Sequence, residues 1–218
     1  MQHIRFATLL LAGFALLLTA CSVSVDVKTG KEPTPATSLD LKPCGESPPS
    51  PAVGFKIQEY PELGYKISYP EDWTATFPEN LVSNNIKVTR ILYRSPQNAT
   101  PSGYRANVNV VVEPRPFRDA SAKTLLSLEG YYSVYRRKLS EDVKDAKLIE
   151  ECTTTISGEK AIQVVLTGSV GNFTLKDRIT YTVKDDKAYA ITYDVAESEH
   201  AFFDGAARAM LSSMEFIK

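Results

Sequence analysis

Apolar and polar residues alternate through most of the second half of the chain. Lys147 to Ile156 is strand-like and closes on a Ser157-Gly158 turn. Ile162, Val164, Leu166, Gly168 and Val170 then share one face, and Gly171-Asn172 reads as a two-residue hairpin turn. Leu175, Ile179, Tyr181 and Val183 mark the next strand. Lys184-Asp185-Asp186-Lys187 turns again, before Tyr189, Ile191, Tyr193 and Val195. Linked by turns this short, the four strands are expected to be antiparallel neighbours.

The same pattern appears earlier with more interruptions. Gly64-Tyr65-Lys66-Ile67-Ser68-Tyr69 alternates and stops at Pro70, and Pro70-Glu71-Asp72-Trp73 reads as a turn. Thr74 to Phe77 and Lys87 to Tyr93 are strand-like, and Ser95 to Arg105 is a loop. Val108, Val110 and Val112 then face one way, with Asn107 and Asn109 opposite. The period changes twice. Leu125, Leu128, Tyr132, Tyr135 and Leu139 form a helical stripe, with Asp119 or Ser121 as its cap. Glu197 to Ser213 gives a second helix, with Phe203, Ala206, Ala207, Met210 and Met214 on one side and Ser198 as a cap; Phe216-Ile217 adds a short edge.

The first 20 residues follow a different logic. Arg5 precedes an apolar run, Leu9 to Leu18, broken only by Gly13. A positive start, an apolar core and small residues before a cut describe a secretory signal. Phe6 to Ala20 falls short of the roughly 20 apolar residues of a membrane-spanning helix. The run ends in Leu18-Thr19-Ala20-Cys21, which resembles the bacterial lipobox. That resemblance implies acylation of Cys21 and a permanent anchor, since two or more acyl chains hold a protein at a membrane. An ordinary signal peptide with a chance cysteine is the alternative. Ser22 rather than Asp after the cysteine leans toward delivery to an outer membrane, where the host has one.

Cleavage after Ala20 leaves 24 basic against 26 acidic residues, a formal charge of −2, and no basic footprint for nucleic acid. The hydrophobic share of 43% suits one packed domain. With Cys21 acylated, Cys44 and Cys152 remain as a pair in an oxidising compartment, where disulfides persist; two unpaired buried thiols are the alternative. Residues 21–54 carry six prolines among Thr, Ser, Lys and Asp and read as a tether, with the globular part at 55–218.

Gly64-Tyr65-Lys66-Ile67-Ser68-Tyr69-Pro70-Glu71-Asp72-Trp73 and the closing Ser213-x-x-Phe216 resemble the opening and ending of the PsbP-like superfamily, over about residues 60–218. The resemblance implies an α+β fold, a curved antiparallel sheet flanked by helices on both faces. Members include extrinsic photosystem II proteins and bacterial lipoproteins of unassigned role. It gives Tyr69, Pro70 and Trp73 a packing role and transfers no catalytic residue. Some photosystem members bind metal, but no metal set can be matched here.

Little in the chain carries chemistry. His200, the one histidine after residue 20, lies near Glu197 and Glu199, with Asp204 at i+4. It reads as an exposed helix start whose acids suit the dipole, with a shared cation as the alternative. Glu150 and Glu151 point to opposite faces of a strand, as a solvated edge would have them. One histidine and no G-x-S-x-G leave little room for a hydrolase. Tyr131, Arg136 and Arg137 form a candidate interaction surface, since Tyr and Arg are favoured at hot spots; the alternative has the helix tyrosines facing the sheet. The expectation is a non-enzymatic, lipid-anchored factor without cofactor or metal, binding or assembling another membrane protein. A small-ligand carrier with a pocket between sheet and helix is the alternative.

Overall fold

The structure, a computed structural model, describes residues 39–45, 54–83, 86–97, 99–115, 117–119, 124–142 and 145–218. Its strands are β1 (Phe55–Tyr60), β2 (Tyr65–Pro70), β3 (Thr74–Ala75), β4 (Glu79–Ser83), β5 (Ile86–Arg94), β6 (Asn107–Pro114), β7 (Phe117–Asp119) and β8 (Thr124–Leu125). Helix α1 (Leu128–Asp142) follows, then β9 (Lys147–Ile156), β10 (Glu159–Val170), β11 (Phe173–Lys184) and β12 (Lys187–Ala196). Helix α2 (His200–Ser213) and β13 (Glu215–Phe216) complete the chain. The fold is α+β, mostly antiparallel sheet with two α-helices among the described residues.

The main sheet runs β3-β5-β6-β12-β11-β10-β9, with β4 also on β5. Its right half is the expected meander: β9 to β12 pair antiparallel in sequence order. The turns explain why. Ser157, Gly158, Gly171 and Asp185 all have positive φ, as tight hairpins require. Tyr65 to Pro70 lies outside this sheet. As β2 it pairs with β1 and β13 in a separate three-stranded sheet. Its inward residues Tyr65, Ile67 and Tyr69 share a core with α2 and with one face of the main sheet.

Strand β12 lies between β6 and β11 and is buried nearly end to end. Its odd positions, Tyr189, Ile191, Tyr193 and Val195, join a cluster with Phe203, Ala207 and Met210 of α2. Its even positions Ala188 and Ala190 join a second cluster with Leu128, Tyr131, Tyr132 and Tyr135 of α1. Small residues on the second side leave room for the helix tyrosines, which gather around Tyr181 with ring centroids 5.5–6.1 Å away. Strand β6 divides the same way. Val108, Val110 and Val112 enter the first cluster and Val111 the second.

Helix α1 starts later than its stripe suggests. Leu125 belongs to a β7–β8 hairpin, pairing with Phe117. Ser127 caps the helix instead, its Oγ accepting the Gly130 N–H at 3.1 Å. At α2, residues Glu197–Glu199 form a 3-10 turn, and no side chain, Ser198 included, caps the helix.

The segment 39–45 packs as a strap. Pro43 bridges in parallel to Thr153 of β9, the Thr153 N–H donates to the Lys42 carbonyl, and the Cys44 N–H to the Thr153 carbonyl, both at 2.9 Å. Leu39 and Leu41 lean on the α1-side cluster, and Cys44 is disulfide-bonded to Cys152 across 108 residues. The strap therefore wraps the edge strand of the sheet, ahead of the boundary drawn at residue 55.

Candidate functional site

A cleft of about 370 Å³ opens between α2 and the outer strands of the main sheet. Strand register builds its floor. Thr180 faces Gln163 across β11 and β10, and Gln163 faces Cys152 across β10 and β9. Arg178, two residues from Thr180, presents its side chain to the same face. Arg208, Leu211 and Ser212 of α2 form one wall, and Cys44 and Gly45 of the strap the opposite rim. The disulfide is thus also an edge of the cleft.

The polar groups cluster around Asp204. Its Oδ1 lies 3.0 Å from Nη2 of Arg178, and its Oδ2 lies 3.7 Å from Nη1 of Arg208. Nε of Arg178 and Oγ1 of Thr180 are buried without a hydrogen-bond partner. His200 Nε2 lies 3.7 Å from Asp204, also without one. The exposed helix start is not what forms: His200 is 8% exposed, its ring tilted against that of Tyr193 with centroids 5.2 Å apart. Burial, with Lys176 and Arg178 nearby, pushes its pKa down to about 4 against the pull of Asp204, so it is neutral at pH 7. A shared cation at His200 and Asp204 would face two guanidiniums on the same carboxylate. Among the described residues no three His, Cys, Asp or Glu side chains converge to hold a metal.

A second polar group lies on the α1-side face. Asp177 and Asp194 face each other across β11 and β12, 3% and 4% exposed. The Tyr104 hydroxyl donates to Asp194 Oδ2 at 2.5 Å, and Asn107 Nδ2 at 3.3 Å. Burial raises both carboxyl groups above the usual range, and for Asp177 the neighbouring carboxylate adds to it. Both shifts favour a proton shared within the pair.

Glu150 and Glu151 differ in surroundings. Glu150 is exposed and lines the cleft, while Glu151 accepts from the Tyr132 hydroxyl at 2.6 Å and pairs with Arg136 at 2.9 Å. No protein-family model matches the sequence, and no curated protein matches it either. Solved structures do. A cyanobacterial PsbP (CyanoP) from Synechocystis sp. PCC 6803 superposes with a TM-score of 0.54 at 16% identity, covering 76% of this chain and 94% of that one. LpqN of Mycobacterium tuberculosis, involved in cell envelope biogenesis, gives 0.51 at 13% identity, covering 71% and 83%.

The fold is PsbP-like.

At these identities the likeness is one of fold. In the PsbP-like opening, Tyr69, Pro70 and Trp73 are all buried. Tyr69 packs on Tyr93 with ring centroids 4.9 Å apart, and Trp73 meets Phe203 of α2 edge-on at 6.2 Å. The Trp73 backbone N–H donates to the Pro70 carbonyl at 3.0 Å, closing the turn. In the PsbP-like ending, Ser213 accepts the Ser68 N–H at 2.9 Å and so clips α2 to β2, and Phe216 packs on Tyr189 at 4.9 Å.

The candidate interaction surface divides. Tyr131 is 1% exposed, with its hydroxyl donating to buried Glu113 at 2.5 Å; Tyr135 donates to the same carboxylate oxygen. It is unavailable to a partner, because Ala188 and Ala190 leave it space on the sheet. Arg136 is on the surface, its side chain 53% exposed. Cys21 and the side chain of Arg137 lie outside the described residues. Arg178, Thr180 and Arg208 were not legible as a site. They come from separate elements, and only the register Gln163–Thr180 and the position of α2 bring them together.

Proposed function

We propose that the protein is a lipid-anchored, extracytoplasmic binding protein, acting without catalysis as an accessory or assembly factor for another membrane or envelope protein. In a cyanobacterial host photosystem II is one such assembly. The observation that carries this reading is the route of the chain. The strap begins 18 residues after Cys21 of the lipobox-like motif, and its Cys44 is covalently fixed to the edge strand. The 17 residues of 22–38 span about 60 Å at full extension. An anchor on Cys21 thus holds the domain, and the cleft edged by the strap, close to a membrane. The PsbP-like fold shared with CyanoP and with LpqN supports it, and so do two apolar clusters, one joined by α1 and one by α2, for a sheet with a helix on each face.

Radiolabelled palmitate fed to the native host tests the anchor, and crosslinking in the native membrane tests the role. The expected result is a label on the wild type that Cys21→Ala abolishes, and one stoichiometric crosslinked protein. An unlabelled wild type, or a monomer alone after crosslinking, overturns the proposal. The carrier reading keeps one observation in its favour, the cleft between sheet and α2. That cleft is open and largely polar in its lining, unlike the enclosed apolar cavity of a hydrophobic-ligand carrier.

A further inference from the structure

We infer that Asp177 and Asp194 form a proton-controlled latch beneath residues 101–105. While the two carboxyl groups share a proton, this segment stays closed over the end of the main sheet. When the proton leaves to solvent and both groups are ionised, the segment lifts. The latch goes beyond the accessory role and requires neither that role nor the lipid anchor.

Strand register sets the geometry. Asp177 of β11 faces Asp194 of β12, and Asp194 faces Asn107 of β6, so the three stand in one row across the sheet. Both carboxylates are buried, and each keeps one oxygen, Oδ1, without a hydrogen-bond donor. Among the described residues the donors to the pair are the Tyr104 hydroxyl and the Asn107 amide, both on Asp194 Oδ2. No lysine, arginine or histidine of the described residues pairs with either carboxylate. Arg94 continues the row on β5, with Asn107 between it and Asp194. The other titratable groups that feel the pair are tyrosines, Tyr104 and Tyr181 on this face and Tyr193 on the other, each kept neutral by its burial.

Two carboxylates so placed cannot both carry charge cheaply. Each has lost its water, and each repels the other. One shared proton removes both difficulties. Burial and then the opposing carboxylate raise Asp177, whereas Asp194, raised by burial, is drawn back by the Tyr104 hydrogen bond. The proton therefore belongs on Asp177, which donates it to Asp194. As the anion, Asp194 then accepts from Tyr104 and Asn107 in charge-assisted hydrogen bonds.

The cover is what gives way when that proton is lost. Strands β11 and β12 each have a neighbour on both sides in the main sheet and cannot part. Residues 101–105 lie between buried Thr100 and Ala106, and 101–103 are exposed. The Tyr104 hydroxyl holds them to Asp194, and its ring meets Phe173 edge-on at 5.2 Å. The Ser102 N–H donates to Glu199 at 2.8 Å, and Arg105 Nε to the Ser95 carbonyl at 2.7 Å. Lifting Tyr104 admits water to both carboxylates by a local opening, which costs far less than unfolding the sheet. The Ser102–Glu199 bond carries the change onward, because Glu199 immediately precedes α2. The acidity of the compartment thereby sets how the start of α2 is covered.

Hydrogen exchange of the full mature chain, corrected for the intrinsic rate at each pH, tests the latch. The closed pair is raised above the ordinary carboxylate value of about 4 that it regains once open, so between those values each pH unit favours opening by up to about tenfold. Protection of the Ser102 and Tyr104 amides should fall by about tenfold or more between pH 5 and pH 8, while amides of the β10–β11 hairpin keep theirs. In Asp177→Asn the new amide gives Asp194 a donor that cannot ionise, and protection should stay high and flat. Asp194→Asn removes the second charge equally and takes its place if circular dichroism shows the first variant unfolded. Wild-type protection that is unchanged over this range, or that falls as steeply in the folded variant, overturns the inference. The carboxyl carbon-13 resonances of Asp177 and Asp194 in the wild type give a check that needs no variant. They should titrate over the range in which protection is lost; titration of both at the ordinary value of about 4 overturns the latch.

Discussion

Removing the Cys44–Cys152 disulfide is expected to lower the unfolding free energy by almost 5 kcal/mol. The bond closes a separation of 108 residues. The chain-entropy relation then gives about 16 cal/mol/K of denatured-state entropy, or ~4.8 kcal/mol at 25 °C. The native side changes less. The strap keeps its two main-chain hydrogen bonds to Thr153 and the contacts of Leu39 and Leu41. Replacing both cysteines by alanine avoids burying an unpartnered hydroxyl at position 152, which is 3% exposed. Urea unfolding reports the change through Trp73, the one tryptophan, buried at 4%. With a slope of about 2 kcal/mol/M the midpoint should fall by about 2 M. Reduced wild type and Cys44→Ala/Cys152→Ala should agree. A loss below about 1 kcal/mol would refute the reasoning, because the strap would then be restraining a denatured chain already compact without it.

Two further predictions concern buried charge, with opposite signs in pH. Asp177→Asn should stabilise the protein by about 1–3 kcal/mol at pH 7.5, by giving Asp194 a donor in place of a second carboxyl group. The raised folded-state pKa means that the wild type gains stability as pH falls toward the ordinary carboxylate range, so the advantage should shrink by pH 5; a destabilised variant at pH 7.5 would sink the idea. His200 acts the other way. Its folded pKa of about 4 lies below the unfolded 6.5, so the unfolded state binds the proton first, and the wild type should lose up to roughly 3 kcal/mol as pH falls from 6.5 to 4. An imidazole resonance from His200 that titrates above pH 6 in the folded protein would contradict this.

Local pattern carried the right half of the main sheet. The hairpins β9 to β12 need only alternation and turn residues, and Gly158, Gly171 and Asp185 take the positive φ that such turns demand. The same rules missed β1, β4 and the β7–β8 hairpin. A short edge strand needs few apolar residues of its own; in β1, Gln58 and Glu59 are exposed and Ile57 is 68% exposed. The two faces of β6 divide as the alternation predicts, but the partners of its polar side are not local. Asn107 belongs to a buried group around Asp194, which local sequence cannot show because its members lie 87 residues apart.

What the sequence determined by itself is local: hairpins, two amphipathic helices, and the Tyr69-Pro70-Trp73 and Ser213-x-x-Phe216 segments that point to a PsbP-like fold. These depend on neighbours within a few positions, where period and turn chemistry are enough. Tertiary structure decided which faces of those elements are covered. It buried Tyr131 in the α1-side cluster that includes Ala188 and Ala190 of β12, buried His200 beside Tyr193, and gave β2 a sheet of its own. It also brought Arg178, Thr180, Arg208 and the Cys44 strap around one cleft. Burial and charge at such a place are sums over residues far apart in the chain, and no window along the sequence contains them.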